Sequence, residues 1–138
     1  LFRSFKLALI GVVPNAVPIF LVMGLLGWLG LRINMGAAMI AAVTMGLSVD
    51  SSIHYIDTFL HARRRGLSVD DALAEVQSSV GRAMLFTTLT LDLGFLVLCT
   101  SEFIPTVYFG ALVSLAMIGG LLGNLIVLPL LISWFVRK

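Results

Sequence analysis

Four long apolar stretches separated by short polar breaks run along the chain, roughly over residues 7–31, 35–60, 83–101 and 106–136. At about 1.5 Å per residue, each is long enough as a helix to cross a hydrocarbon layer ~30 Å thick. None alternates polar and apolar with period two. Helices rather than membrane strands are therefore expected, because a lipid-facing backbone must satisfy its own hydrogen bonds. Between the second and third stretches Val69, Leu73, Val76 and Val80 recur at helical spacing, with Asp70, Asp71, Glu75 and Gln77 on other faces. That pattern predicts a short amphipathic helix over about 68–80, lying along the membrane surface. The expected fold class is all-α: a polytopic membrane bundle of four transmembrane helices and one interfacial helix.

The breaks carry suitable residues. Arg32 and Asn34 interrupt the first pair of stretches, HARRRGLSVDD the second and SEFIP the third, where Pro105 suits the first turn of the next helix. Gly66 can end a helix in a left-handed conformation, and Ser68 with Asp71 three residues later resembles a capping box. Pro14 and Pro18 predict a kink or partial unwinding near the start of the first helix. Trp28, Tyr55, Tyr108 and Trp134 sit near stretch ends, where interfacial aromatics gather. Two small-xxx-small pairs, Ala42 with Gly46 and Gly119 with Gly123, predict close approach of helix backbones.

Composition sharpens this picture. Of 138 residues, 59% are hydrophobic and 12% charged, and mean hydropathy is +1.09. A soluble domain carries roughly 25% charged residues, so most of this surface is made for lipid. With four spans, both ends share a side with the 61–82 loop, and that side holds Arg3, Lys6, Arg63, Arg64, Arg65, Arg82, Arg137 and Lys138. The other side holds Arg32. This bias places both ends and the 61–82 loop in the cytoplasm, and the 32–34 and 101–105 loops outside. The arginine cluster then serves as a topology anchor in contact with lipid phosphates. Cys99 has no second cysteine to pair with and reads as a small buried thiol. The opening residues LFRSFK, without an initiator Met or the layout of a signal peptide, suggest an excerpt of a longer chain. No Gly-rich phosphate loop and no GxSxG elbow is present, and the basic residues are placed for topology, so neither an enzyme nor a nucleic-acid binder is expected.

Candidate chemistry centres on a repeated pentapeptide. GLSVD occurs at 46–50 and at 66–70. In the second copy Asp70 meets water and the first turn of the amphipathic helix, a structural use. In the first, Asp50 falls inside an apolar span, where an aspartate costs roughly 2.5–3.5 kcal/mol on insertion scales. His54, Asp57 and His61 follow it on the same helical face. The third span adds Thr87, Thr88, Thr90 and Asp92. Asp50, His54, Thr88 and Asp92 are the candidate proton-relay residues, with Thr88 and Asp92 able to bond across to Asp50, to water, or to their own helix. His54, Asp57 and His61 have ligand-like spacing, but the interfacial setting and the absence of a cysteine among them argue against a metal site.

The segments GLSVDSSIHYIDTF, RRRGLSVDDAL, VGRAMLFTTLTLDLGFLVLCTS and FGALVSLAMIGGLLGNLIVLPLL resemble the transmembrane core of the RND (resistance-nodulation-division) superfamily. The resemblance is closest to the MMPL-type and hydrophobe-exporter branch, related to Patched and to sterol-sensing domains. It covers nearly the whole chain, as the third to sixth helices of a six-helix half. It implies a transport protein of the inner membrane that exports lipids or other hydrophobic compounds by proton antiport. The proton would be the coupling ion, with no other cofactor, and Asp50 the residue that binds it. The family often has Tyr directly after this Asp, where this chain has Ser51, and Asp92 stands where a threonine or small residue is common. The partners implied are the rest of the same transporter, namely its outer porter domains and second transmembrane half, together with membrane lipids, a hydrophobic substrate and a homo-oligomer. Two other readings stay open: a sterol-sensing-like lipid-binding or regulatory domain, and, ranked lower, a Sec-type protein-export accessory factor.

Overall fold

The computed structural model describes residues 5–30, 32 and 35–136. Among them there is no strand, and helices α1 (Phe5–Trp28), α2 (Met35–Arg64), α3 (Val69–Val76), α4 (Arg82–Val97), α5 (Ile104–Leu122) and α6 (Leu128–Val136) account for nearly all of the chain. Two π turns, Gln77–Gly81 and Gly123–Val127, join α3 to α4 and α5 to α6 without a break. The result is four helices long and apolar enough to span a membrane, at Leu9–Trp28, Ala38–Arg64, Val69–Thr100 and Ile104–Val136. Of the residues that set the expected orientation, Arg3, Arg137 and Lys138 lie outside the described residues, as do Asn34 and the side chain of Lys6.

The expected amphipathic segment is present, but it continues directly into the third span. Its start is fixed locally. Gly66, at φ +90°, ends α2, with Leu67 N–H donating to the Ala62 carbonyl at 3.4 Å and Gly66 N–H to the Arg63 carbonyl at 3.1 Å. This is a Schellman closure. Ser68 then caps α3: its hydroxyl oxygen accepts from Asp71 N–H at 3.1 Å while its proton goes to Asp71 Oδ2 at 2.6 Å. Arg63 donates to the Leu67 carbonyl at 2.6 Å, and Arg65 pairs with Glu75 across the turn. Two of the three loop arginines thus brace the turn itself.

The helix α5 is the hub, packing against α1, α2 and α4, whereas α2 and α4 make no extensive contact with one another. Along the axis the core has three layers. One apolar cluster, near the 61–82 loop, gathers Ile10, Tyr55, Ile56, Phe59, Val76, Leu128 and others. A second, toward residues 29–34, holds Val22, Leu26, Ile40, Leu112, Val113, Ala116 and Met117. Between them lie buried Asn15, Ser48, Ser52 and Asn124.

Several local expectations change. Pro14 and Pro18 sit inside a continuous α1, not an unwound one. Because Pro18 has no N–H to offer the Pro14 carbonyl, that oxygen is left for a neighbour, and α5 approaches it at Gly123, where a Cβ would stand 2.9 Å away. Gly119 also faces Pro18, at ordinary contact distance. Ala42 and Gly46, by contrast, are exposed, and a Cβ on Gly46 would meet nothing within 4 Å. The second small-residue pair packs helices; the first does not among the described residues. The tightest approach belongs to Gly110, whose Cβ would fall 2.6 Å from the Phe95 carbonyl oxygen. Tyr55 faces the inside of the bundle rather than its surface. It is fully buried and its hydroxyl donates to Gln77 Oε1 at 2.9 Å.

Candidate functional site

Asp50 stands on α2 beside a cavity of about 80 Å³ between α2, α4 and α5. Thr44, Ser48, Asp50 and Ser51 line it from α2, Thr87 and Thr88 from α4, and Gly120 and Asn124 from α5 and its π turn. The Asp50 side chain is 73% exposed, and His54 Nε2 lies 3.6 Å from its Oδ1. That distance allows charge attraction but is too long for a hydrogen bond. Asp57 and His61 continue the stripe and are exposed. The expected ladder therefore exists as one exposed face of α2.

The third span divides its candidates. Thr88 reaches the cavity, whereas Asp92 is buried at 5% exposure outside the cavity lining. Asp92 Oδ1 has no hydrogen-bond partner among the described residues. Among the described residues no hydrogen bond joins Asp50 to Thr88 or Asp92, so of the three alternatives open to these groups the bond across to Asp50 is not made within them. Thr87 and Thr90 bond back to the carbonyls of Ala83 and Phe86 at 2.9 and 2.8 Å.

Beside Asp50 lies a polar lock that sequence reasoning missed. Ser48 donates to Asn15 Oδ1 at 2.5 Å, and Ser52 lies 2.6 Å from Asn124 Oδ1 and 3.1 Å from Asn15 Oδ1. Asn124 Nδ2 donates to the Ser48 carbonyl and hydroxyl oxygens at 3.3 and 3.4 Å, and Asn15 Nδ2 to the Gly11 carbonyl at 2.6 Å. Three helices are thereby tied at the level of the carboxylate, and Ser48 and Asn124 also line the cavity. Asn124 lies in the π turn Gly123–Val127, within an otherwise apolar run. The signal in the sequence was the presence of Asn15 and Asn124 in apolar stretches. A second link runs from the other π turn: Gln77 Nε2 donates to the Leu125 carbonyl at 3.2 Å while its Oε1 holds Tyr55.

An all-helical polytopic membrane bundle with an intramembrane carboxylate is the class that this fold and site define. The Patched family model, described as the Patched SSD (sterol-sensing domain), matches residues 1–132, and the chain belongs to that family. It is 32% identical over 118 residues to Protein patched homolog 1 of Caenorhabditis elegans, a match covering 81% of this chain and 8% of that protein. It is 29% identical over 97 residues to the membrane protein MJ1562 of Methanocaldococcus jannaschii, covering 70% of this chain and 25% of that one. The chain thus spans a quarter or less of these relatives. No solved structure matches.

Proposed function

We propose that this chain is the transmembrane part of a proton-driven RND-type exporter of lipids or other hydrophobic compounds in the inner membrane, with Asp50 as the carboxylate that takes up and releases the proton. The carrying observation is the setting of Asp50: an acid within a membrane span, at the edge of a cavity that Ser48, Ser51, Thr88 and Asn124 help to line, with His54 at 3.6 Å as its basic neighbour among the described residues. Among the described residues no arginine or lysine pairs with the carboxylate, and uptake of a proton would cancel its charge. Loss of that charge removes the penalty on exposing the α2 face to an apolar neighbour. The helix can then repack, and the polar lock passes its movement to α1 and α5. His54 serves as an adjacent relay; Thr88 holds a hydroxyl at the cavity wall, and Asp92 is a second protonation site on α4. The remainder of the same transporter would convert this motion into export.

The family match supports a second reading, a sterol-sensing-like domain that binds lipid without transport. Replacing Asp50 by Asn in the complete protein, reconstituted in vesicles with an imposed proton gradient, separates the two. The exporter reading expects at least a hundredfold loss of gradient-driven lipid transport with lipid binding retained. Transport unchanged by Asp50→Asn overturns it.

A further inference from the structure

Three of the four spans lose regular helical hydrogen bonding at one level of the bundle. In α1, Pro14 and Pro18 have no N–H to offer the carbonyls of Ile10 and Pro14. The third span makes the π turn Gln77–Gly81, where Ser78 and Ser79 turn their hydroxyls back to the Glu75 carbonyl at 3.0 and 2.7 Å. The fourth makes the π turn Gly123–Val127, and Pro129 just beyond it has no N–H for the Leu125 carbonyl. These sites adjoin one another. A Cβ on Gly123 would stand 2.9 Å from the Pro14 carbonyl oxygen, and one on Gly81 would stand 3.2 Å from Leu125 Cδ2. By contrast, α2 runs through the same level as 30 residues of helix without a proline. Prolines and π turns are where helices bend, and carbonyls freed at membrane depth need donors from neighbouring groups.

Gln77 supplies one such donor. Its Nε2 donates at 3.2 Å to the Leu125 carbonyl that Pro129 leaves free, while its Oε1 accepts from Tyr55 of α2 at 2.9 Å. One amide thus joins both π turns to the unbroken helix. On the 61–82 side of this level, Arg63 and Arg65 tie α3 to the end of α2, and one apolar cluster holds Ile10, Val76, Leu128 and Ile132 together. On the other side a separate cluster joins α1, α2 and α5. We propose that this level is a hinge, that the 61–82 end of the bundle tilts about it against the 29–34 end, and that Gln77 is the latch that holds it closed. Hinges of this kind need only a few residues that absorb the change in backbone angle. Because α2 is unbroken, it acts as a lever whose two ends move in opposite senses, with Asp50 near the fulcrum between Ser48 and Ser52. That a change of charge on Asp50 tips the lever rests on the proton chemistry proposed above; the hinge and its latch do not.

Distances between paired spin labels test this in the complete protein in lipid bilayers, in a Cys99→Ala background. Phe20→Cys with Leu93→Cys places both labels on the 29–34 side, on α1 and α4. Leu93→Cys with Trp134→Cys places them across the hinge, and all three positions are exposed. The pair across the hinge is expected to give a distance distribution at least twice as wide as the other pair. Gln77→Leu, which roughly keeps size and removes both bonds, should widen it at least twofold again and leave the first pair unchanged. Pro129→Ala, which returns an N–H to the Leu125 carbonyl, should narrow it. Equal widths for the two pairs overturn the hinge, with no variant at position 77 or 129 needed. Widening of both pairs by Gln77→Leu, or of neither, overturns the latch. Asp50→Asn should shift the mean distance across the hinge, and no shift overturns its link to Asp50. If Asp50→Asn transports normally, the exporter reading fails, while the widths still decide the hinge.

Discussion

Asp50 and Asn124 show how differently polar side chains are held in this membrane bundle. Asp50 is exposed at the surface of the described helices and touches His54, so its energy depends on what covers that face. Asn124 is 1% exposed and spends both ends of its amide on α2. Replacing Asn124 by Ala leaves Ser52 to share Asn15 and strips the Ser48 carbonyl of its extra donor. Each buried partner left short costs about 1–3 kcal/mol. Asn124→Ala is therefore expected to destabilise the bundle by roughly that amount in thermal unfolding, whereas Asp50→Asn, which strands no buried partner among the described residues, should shift the stability of the isolated bundle by less than about 0.5 kcal/mol. Asp50 was legible in the sequence because a charge in an apolar run stands out. Asn15 and Asn124 were visible as letters, but their meeting across helices was not.

Small residues divide by what they face rather than by motif. Gly119 and Gly123 bring α5 and its π turn onto the prolines of α1, and the Pro14 carbonyl leaves no room for a methyl at position 123. Gly123→Ala should cost about 1–3 kcal/mol through overpacking. Gly46→Ala, with open space around it, should be neutral or slightly stabilising in the isolated bundle. The same pair of variants compared in thermal melts of the bundle and of the complete protein would show whether another segment covers Gly46: a cost at position 46 confined to the complete protein marks a helix seated there. The helix start at Ser68 and stop at Gly66 were readable because caps depend on neighbours within a few residues. The absence of a break between α3 and α4 was not, since Gln77–Gly81 follows helical φ and ψ closely and is shifted to π pairing, with Gln77 and Gly81 both meeting Leu125.

At the scale of the molecule, α5 sits between α1, α2 and α4, and leaves a cleft where α2 and α4 fail to close over it. The cavity and the Asp50 stripe both lie along that opening. Orientation is a separate property, for which the basic residues of the 61–82 loop and the ends carry the expectation. In a Cys99→Ala background, a cysteine introduced at Ser68 should react with a membrane-impermeant thiol reagent from the cytoplasmic side, and one at Glu102 from the opposite side. Labelling in the reverse sense would overturn the expected topology. The spans were readable in advance because hydropathy sums over some twenty residues and needs no knowledge of neighbours.

By itself the sequence determined the four spans, the cap and stop around Gly66 and Ser68, and the candidacy of Asp50, all properties of local composition and spacing. Only the tertiary structure decided that Tyr55 is buried, that Gly123 rather than Gly46 packs helices, that Asn15, Ser48, Ser52 and Asn124 meet, and that Thr88 joins Asp50 at a cavity while Asp92 does not. The reason is the solvent. In water an apolar stripe marks the inward face of a helix, but in lipid both faces are apolar, and the rotation of each helix is settled by close packing and by which polar groups find one another.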